Sequence, residues 1–201
     1  MFWLDAILPH VFLLCVDSRS QSTRKFAWSV VRSSQSQPPI NNLRYIKSVT
    51  LIEIRDERPD TRDALQLLSE LDTDLMRHPY TADSRHAFSV EQLLREGVKF
   101  FVTRHQQQPA GCGGLKIYPS EFAEVKRMYV RPAHRGHGLG KAMLEHLAEV
   151  TRQHGINSLR LETGIYQVDA IGLYERWGFR RRPPFAEYRE DPLSVYFEKT
   201  V

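Results

Sequence analysis

Residues Glu124–Leu147 read EVKRMYVRPAHRGHGLGKAMLEHL, and the rest of the chain is organised around this stretch. The pattern predicts a strand, then a glycine-rich turn, then a helix. The first turn of a helix leaves several backbone N–H groups without partners, all pointing the same way, and the helix dipole reinforces them. The stretch therefore predicts an anion-binding site at the start of the helix.

The turn, Arg135–Lys141, contains three glycines, whose conformational freedom lets backbone amides approach a ligand closely. It does not match a Walker A loop, because Ala142 stands where that loop needs a magnesium-binding Ser or Thr. It does not match a dinucleotide-binding fingerprint either, because Lys141 stands where the third glycine belongs. From the glycines alone, a tight turn without a ligand explains the pattern as well as a phosphate site does.

The composition predicts one domain in a reducing compartment. A length of 201 residues suffices for one core and is short for two. Cys15 and Cys112 lie far apart, which indicates neither a disulfide framework nor a zinc site and favours a cytoplasmic location. Of the charged residues, Met1–Lys47 holds six basic and two acidic ones, and the remainder holds 22 of each sign. The main body is therefore neutral, without the basic patch expected of a nucleic-acid-binding protein.

The first 47 residues are predicted to form a poorly ordered extension. Residues 1–16 are apolar, but Asp5, Pro9 and His10 interrupt them, and the basic start and cleavage site of a signal peptide are missing. We therefore expect no membrane span there. Residues 17–42 are rich in Ser, Gln and Pro, a composition that buries too little apolar surface to offset its ordering entropy. A start codon assigned too far upstream would produce the same pattern.

Residues 48–201 are predicted to form a single α/β domain, with a mixed, mainly antiparallel sheet flanked by helices. One crossover is expected, through the helix of the opening stretch. Asp169 is expected to cap the last helix and Gly178 to end it. The predicted strands cover 48–57, 98–104, 111–118, 122–130, 158–163, 179–182 and 194–199, and the predicted helices cover 61–78, a short segment after the Ser89–Gln92 capping box, 138–154 and 170–177.

Two motifs together give the domain a family resemblance. Arg135-x-x-Gly138-x-Gly140 resembles the acyl-CoA-binding motif of the GCN5-related N-acetyltransferase (GNAT) superfamily, which also follows a strand and opens a helix. Ala170–Phe179, AIGLYERWGF, resembles the second signature of that superfamily, a helix carrying a tyrosine followed by a Gly-Phe step into a strand. The predicted order of elements fits the same fold, so the resemblance covers about three quarters of the chain.

The resemblance implies that acetyl-CoA binds as a co-substrate. Its pantetheine arm would pair with the backbone of Met128, Tyr129 and Val130, while the side chains of Met128 and Val130 pack in the core. Its pyrophosphate would lie on the loop, which agrees with the anion site predicted from the residues. The loop residues concerned are Arg135, Gly136, His137, Gly138, Leu139, Gly140 and Lys141. Gln167 stands where relatives usually carry an asparagine that helps to hold the pantetheine, and its longer amide offers the same donor and acceptor.

The resemblance also implies direct transfer of acetyl to an amine, with two proton transfers. Tyr174 matches the tyrosine that protonates the departing CoA sulfur. Glu124 matches the catalytic glutamate of the histone-acetylating branch and is the candidate base, acting alone or through water. Glu162 and Thr163 end a predicted strand and are expected to face the same cleft.

Several interpretations remain open at this point. The acceptor is expected to be a small primary amine or an amino-acid-like molecule, and the acids and aromatics of the loop over 183–192 suit a cationic amine. Acetylation of proteins, and acyl-CoA binding without catalysis, are the alternatives. A homodimer is compatible with the resemblance, because relatives are often dimers. The sequence predicts no partner among nucleic acids or membranes.

The histidines are not expected to bind metal. His134, His137, His146 and His154 lack the partner spacing of a zinc site, and His146 with His154 fits an exposed helix face. The run Arg180–Arg182 is expected to form a charged strand edge that resists aggregation.

Overall fold

The computed structural model of the protein describes residues 51–80 and 88–201. The predicted extension and the start of the first predicted strand lie outside the described residues. The elements are β1 (Ile52–Asp56), α1 (Arg62–Leu75), α2 (Val90–Arg95), β2 (Lys99–His105), β3 (Gln108–Tyr118), β4 (Phe122–Val130), a 3-10 turn (Pro132–His134), α3 (Leu139–Gln153), β5 (Ser158–Gly164), α4 (Val168–Trp177), β6 (Arg180–Arg182) and β7 (Ser194–Thr200). The predicted order of strands and helices is confirmed.

The strands form one sheet in the order β1-β2-β3-β4-β5-β7-β6. Neighbouring strands run antiparallel except β4 and β5, which are parallel and joined by the crossover through α3. Only Ala123–Val125 of β4 pairs with Leu159–Leu161 of β5. Beyond these residues the two strands diverge, so the backbone of the second half of β4 has no strand partner on its β5 side within the described part of the chain.

A bulge in β4 lies at the point of divergence. Cys112 of β3 faces Tyr129 and Gly114 faces Lys126, so β4 has one residue more than β3 across this interval. Arg127, within it, has a positive φ of 53°. Because an extra residue shifts the alternation of side chains, Arg127 and Tyr129 lie on the same face of the sheet as Lys126.

Helices cover the two faces of the sheet separately. On one face, α3 packs against the central strands, and on the other α1 and α2 do so. The α3 side is built from Leu115, Val125, Met143, Leu144, Leu147, Leu159 and Leu161, and the α1 side from Leu67, Leu68, Leu71, Leu93, Phe100, Val102 and Tyr129. Each of these large side chains contributes about 1.5–3 kcal/mol by leaving water, which holds the helices in fixed positions around the splay between β4 and β5.

Some element ends differ from the prediction. The capping box of Ser89 and Gln92 is present, and Gly178 ends α4 in a left-handed conformation, as predicted. However, α4 begins after Gln167, not after Asp169, whose side chain lies exposed in the first turn, 3.6 Å from Arg135. The β2–β3 hairpin turns through only two residues, Gln106 and Gln107, both with positive φ, because paired left-handed residues match the twist of the strands.

The prediction that His146 is an exposed helix residue is wrong. Its ring packs edge-on against Phe101, with the centroids 4.5 Å apart, and burial lowers its pKa. His146 precedes the fully buried Leu147 and lies at the border of the apolar stripe of α3. His154, at the end of the same helix, is exposed as predicted.

Within 51–80 and 88–201, the helices are too short or too polar to cross a membrane.

The thiol of Cys112 is buried between the sheet and α1, and this burial raises its pKa to about 12. A thiol in that state is inert at neutral pH.

Candidate active site

The glycine-rich loop adopts the conformation that an anion site requires. Gly136 and Gly138 have φ angles of 80° and 83°, a region that other residues enter at a cost of about 1–2 kcal/mol. Gly138 immediately precedes α3, and no side chain of a described residue caps this helix start. The N–H groups of the first turn, from Leu139 onward, are therefore available to an exposed ligand.

Packing explains other positions of the loop. A Cβ atom on Gly140 would lie 2.8 Å from Leu173, so this glycine lets α3 approach α4. The side chain of Leu139 is 2 % exposed and belongs to the core. These two residues can therefore offer only backbone to a ligand.

The two cations of the loop already have neighbours on the protein. Arg135 donates to the backbone carbonyl of Val130 at 3.1 Å and pairs with Asp74 at 3.3 Å. Lys141 lies 3.6 Å from Glu145 on the exposed side of α3. Both pairs are exposed and therefore weak, so each side chain can turn toward a phosphate.

A cleft of about 200 Å³ lies where β4 and β5 diverge, and it receives residues from both faces of the sheet. The lining residues nearest α4 are Met128, Thr163, Gly164, Gln167, Ala170 and Tyr174. Those on the α1 side are Leu71, Asp72, Leu75, Lys126, Arg127 and Tyr188. The splay thus connects the helix start on one face with a pocket on the other.

Tyr174 occupies the position in this cleft that the sequence predicts for an acid. It is 5 % exposed, and its ring packs against Phe179 and Phe197. Burial, together with the charge of Glu162, raises the pKa of its hydroxyl above the ordinary value of 10. No hydrogen bond joins this hydroxyl to another described residue. A protonated hydroxyl in a cleft is suited to donate a proton.

Glu124 is buried behind the wall of the cleft. Its carboxylate pairs with Lys126 at 2.7 Å and accepts a hydrogen bond from Tyr188 at 2.8 Å. The hydroxyl of Tyr118 lies 3.4 Å from the other carboxylate oxygen. Glu124 is therefore linked to the cleft by Lys126 and Tyr188, because both of these side chains line it.

Sequence reasoning missed Lys126. The ammonium is 6 % exposed, donates to the Tyr188 hydroxyl at 2.6 Å and lies over the ring of Phe88, 4.2 Å from its centroid. Its position two residues after Glu124 on one strand puts both side chains on the same face, which is the signal that could have identified it. Burial and the charge of Glu124 raise the pKa of Tyr188, which keeps that hydroxyl protonated.

The remaining predicted cofactor contacts divide into lining and core residues. Met128 lines the cleft, whereas the side chain of Tyr129 packs with α1 and that of Val130 with α3. Tyr129 and Val130 can therefore contribute backbone only. The amide nitrogen of Gln167 is buried beside the cleft, close to the hydroxyl of Tyr80. An amide NH2 group has two donors, so one of them can serve a ligand.

Three histidine rings cluster beside the loop. The Nδ1 atoms of His105 and His134 are 2.9 Å apart, and the rings of His105 and His137 are 5.0 Å apart. Burial and these two neighbours lower the pKa of His105. Among the described residues, no group of three His, Cys, Asp or Glu side chains is arranged to hold a metal ion.

These features fit an acyl-CoA. The start of α3, which no described side chain caps, supplies N–H groups for a pyrophosphate. The second half of β4 pairs with β3 on one side, and its other side faces the gap to β5, where an amide-containing arm can bind. The buried nitrogen of Gln167 supplies a donor at the entrance to α4. The arm would lead from the loop into the cleft beside Tyr174.

Comparison with known proteins gives consistent matches. The model of the acetyltransferase (GNAT) family matches residues 65–179. The IAA acetyltransferase of Azospirillum brasilense is 38% identical over 151 residues, which cover 75% of this chain and 98% of the relative. A solved structure of a proposed acyl-CoA N-acyltransferase from Klebsiella pneumoniae has a TM-score of 0.63 and 35% identity, covering 74% of this chain and 97% of the other. The PaiA N-acetyltransferase of Thermoplasma acidophilum, in complex with coenzyme A, shares the fold, with a TM-score of 0.61, 22% identity and coverage of 75% and 99%.

The matched span contains the glycine-rich loop, the splay of β4 and β5, and Tyr174. It covers more than half of the chain, and the Azospirillum relative extends the similarity across most of the described residues. The chain therefore belongs to the GNAT acetyltransferase family and is an N-acetyltransferase.

Proposed function

We propose that the protein transfers the acetyl group of acetyl-CoA directly to the primary amine of a small, amino-acid-like acceptor. The observation that carries this proposal is the buried Tyr174, which lines the cleft at the splay of β4 and β5. The name of the Azospirillum relative, IAA acetyltransferase, supports acetyl as the transferred group. The opening toward α1 supplies room for an acceptor next to the donor.

The donor site uses mainly backbone. The N–H groups of Arg135–Lys141 bind the pyrophosphate at the start of α3. The backbone of Met128–Val130, which has no strand partner on its β5 side among the described residues, pairs with the pantetheine amides, and Gln167 donates to the same arm. Acetyl-CoA, when bound, supplies an acetyl group activated as a thioester.

Side chains in and beside the cleft remove a proton from the amine and donate one to the CoA sulfur. An amine attacks only in its neutral form. Glu124 withdraws a proton from the amine through the hydroxyl of Tyr188, which already donates to it at 2.8 Å. Tyr174 donates a proton to the departing sulfur and recovers it from solvent. One C–N bond forms and one C–S bond breaks.

Replacing Tyr174 by phenylalanine tests this assignment. The ring contacts with Phe179 and Phe197 remain in Tyr174→Phe, so the variant should fold. We expect kcat with an accepted amine to fall about 100-fold or more, because a proton donor contributes that much. The KM for acetyl-CoA should stay within about twofold, since the loss falls on the transition state. Thiol release from CoA, with mass spectrometry of the acetylated product, measures both.

Other outcomes would identify the alternatives. Tight binding of acetyl-CoA without turnover of any amine, unchanged in Tyr174→Phe, would indicate an acyl-CoA-binding module. Acetylated lysines on added proteins, with no small amine accepted, would indicate a protein acetyltransferase. Absence of both binding and thiol release would contradict the proposal altogether.

A further inference from the structure

β4 and β5 place opposite charges on the α1 side of the cleft, where the acceptor would bind. Glu124 of β4 lies level with Arg160 of β5 in the parallel register. Two residues farther along each strand come Lys126 and Glu162, both of which line the cleft. Side chains two residues apart share a face of the sheet, so a cation and an anion flank the opening at the same level.

Lys126 has one donor to offer. An ammonium has three N–H groups. One points to Glu124 at 2.7 Å and one to Tyr188 at 2.6 Å, and the third has no acceptor among the described residues. Because Lys126 lines the cleft, a ligand oxygen can take this position.

The buried pair of Glu124 and Lys126 is not explained by stability. Such pairs can often be replaced by apolar residues of similar volume without loss, because removing two charges from water is costly. Here Glu124 is fully buried and Lys126 is 6 % exposed. The pair fixes a cation at the wall of a cleft, which is useful for binding an anionic group.

Glu162 is fixed on the opposite strand. The hydroxyl of Ser194 donates to its carboxylate at 2.7 Å. Its charge also acts on the buried Tyr174 hydroxyl. A carboxylate in this position can accept a hydrogen bond from an amine that lies next to the proton donor.

An apolar wall completes this side of the cleft. Leu71, Leu75 and Met76 of the α1 region line it together with Tyr80. Met76 is 68 % exposed, so its side chain is accessible to a ligand in the cleft. A large apolar substituent on the acceptor would cover this wall.

We propose that the acceptor is an α-amino acid with a large apolar side chain, its carboxylate bound by Lys126, its amine by Glu162 and its side chain by the wall of α1. This proposal rests on the proposed acetyltransferase function. It makes that function more specific, because the enzyme must bind the carboxylate and the amine of one small molecule at the same time.

The matched substrates are L-phenylalanine, L-phenylalaninamide, 2-phenylethylamine and L-alanine, tested on the full chain with acetyl-CoA. The amide and the amine lack the carboxylate, and alanine lacks the apolar side chain. We expect kcat/KM for phenylalanine to exceed that for each of the other three by at least about tenfold. The readouts are thiol release and mass spectrometry of the N-acetyl product.

Variants of Lys126 test the carboxylate contact directly. Lys126→Met should raise the KM for phenylalanine at least about tenfold and abolish its advantage over phenylethylamine, whereas Lys126→Arg should retain that advantage. Lys199→Met is the control, because Lys199 packs over Trp177 away from the cleft and its loss should leave the preference unchanged. Thermal melting shows whether each variant is folded.

The outcomes distinguish the proposal of an amino-acid acceptor from the proposed N-acetyltransferase function on which it rests. Comparable kcat/KM for phenylalanine, its amide and phenylethylamine would overturn the amino-acid proposal and leave the N-acetyltransferase function standing. The same holds if alanine equals phenylalanine, or if folded Lys126→Met keeps the wild-type preference. Failure to acetylate any of the four substrates or a broader amine panel would instead remove the proposed function. The wild-type substrate comparison decides the question even if Lys126→Met does not fold.

Discussion

Lys126 and Tyr188 both contact the same carboxylate oxygen of Glu124, Oε1, and these two contacts link the buried glutamate to the cleft. Motif spacing predicts Glu124 and Tyr174 as catalytic residues from the sequence. Strand alternation also places Lys126, two residues after Glu124, on the same face of the sheet. Tyr188 is 64 residues away from Glu124, and no local pattern encodes a contact across that separation.

The proposed proton path predicts the effect of removing one hydroxyl. Tyr188→Phe should lower kcat roughly 100-fold and leave acetyl-CoA affinity unchanged, because the hydroxyl lies between the cleft and Glu124. Tyr118→Phe is the matched control. The Tyr118 hydroxyl also lies near the Glu124 carboxylate, at 3.4 Å, but Tyr118 does not line the cleft. Its removal should cost far less. Equal losses in the two variants, measured by thiol release, would argue against a path through Tyr188.

Among the elements, the glycine-rich loop and α3 follow from the sequence more directly than the ends of the other elements do. The loop and helix were predicted because three glycines precede a strong apolar stripe. The start of α4 differs from the prediction because Asp169 is a good capping residue, yet the helix begins two residues earlier, after Gln167. The β2–β3 turn was predicted as longer because nothing local indicates that Gln106 and Gln107 adopt positive φ.

The loop predicts a separation between stability and binding. Gly138→Ala and Gly155→Ala both force alanine into a left-handed conformation, with φ of 83° and 71° and no atom within 4 Å of the new Cβ. Each should cost about 1–2 kcal/mol of unfolding free energy. Only Gly138→Ala, at the start of α3, should also weaken acetyl-CoA binding. Calorimetric titration checks this, and equal affinities in the two variants would contradict an anion site at the loop.

For the whole molecule, the splay of β4 and β5 is the feature that periodicity could not reveal. The sequence predicted one crossover and a mainly antiparallel sheet, both of which are confirmed. Where two parallel strands stop pairing depends on the bulge at Arg127 and on the packing of α1 and α3 on opposite faces. The family resemblance implied only that the backbone of Met128–Val130 binds the pantetheine arm, and hydrophobic patterning gives no sign of where the two strands separate.

The histidine cluster predicts how the stability of the whole molecule changes with pH. Burial, His134 and His137 lower the pKa of His105 in the folded state from its ordinary value of 6.5, so the unfolded chain binds the proton more readily. The contribution of neutral His105 is complete above pH 6.5 and is lost as the pH falls from there through the lowered pKa. His105→Gln should flatten the dependence of unfolding free energy on pH between 7 and 5, measured by urea denaturation at each pH. His154→Gln, at the exposed end of α3, should leave the wild-type slope unchanged, and a wild-type slope in His105→Gln would contradict this assignment.

A crystal structure with bound CoA tests the central claim most directly, namely that the cleft between β4 and β5 is where acetyl is transferred. We expect the pyrophosphate on the N–H groups at the start of α3, the pantetheine along Met128–Val130, and the sulfur within hydrogen-bonding reach of the Tyr174 hydroxyl. A pantetheine arm that leaves the splay empty, or a sulfur remote from Tyr174, would contradict it.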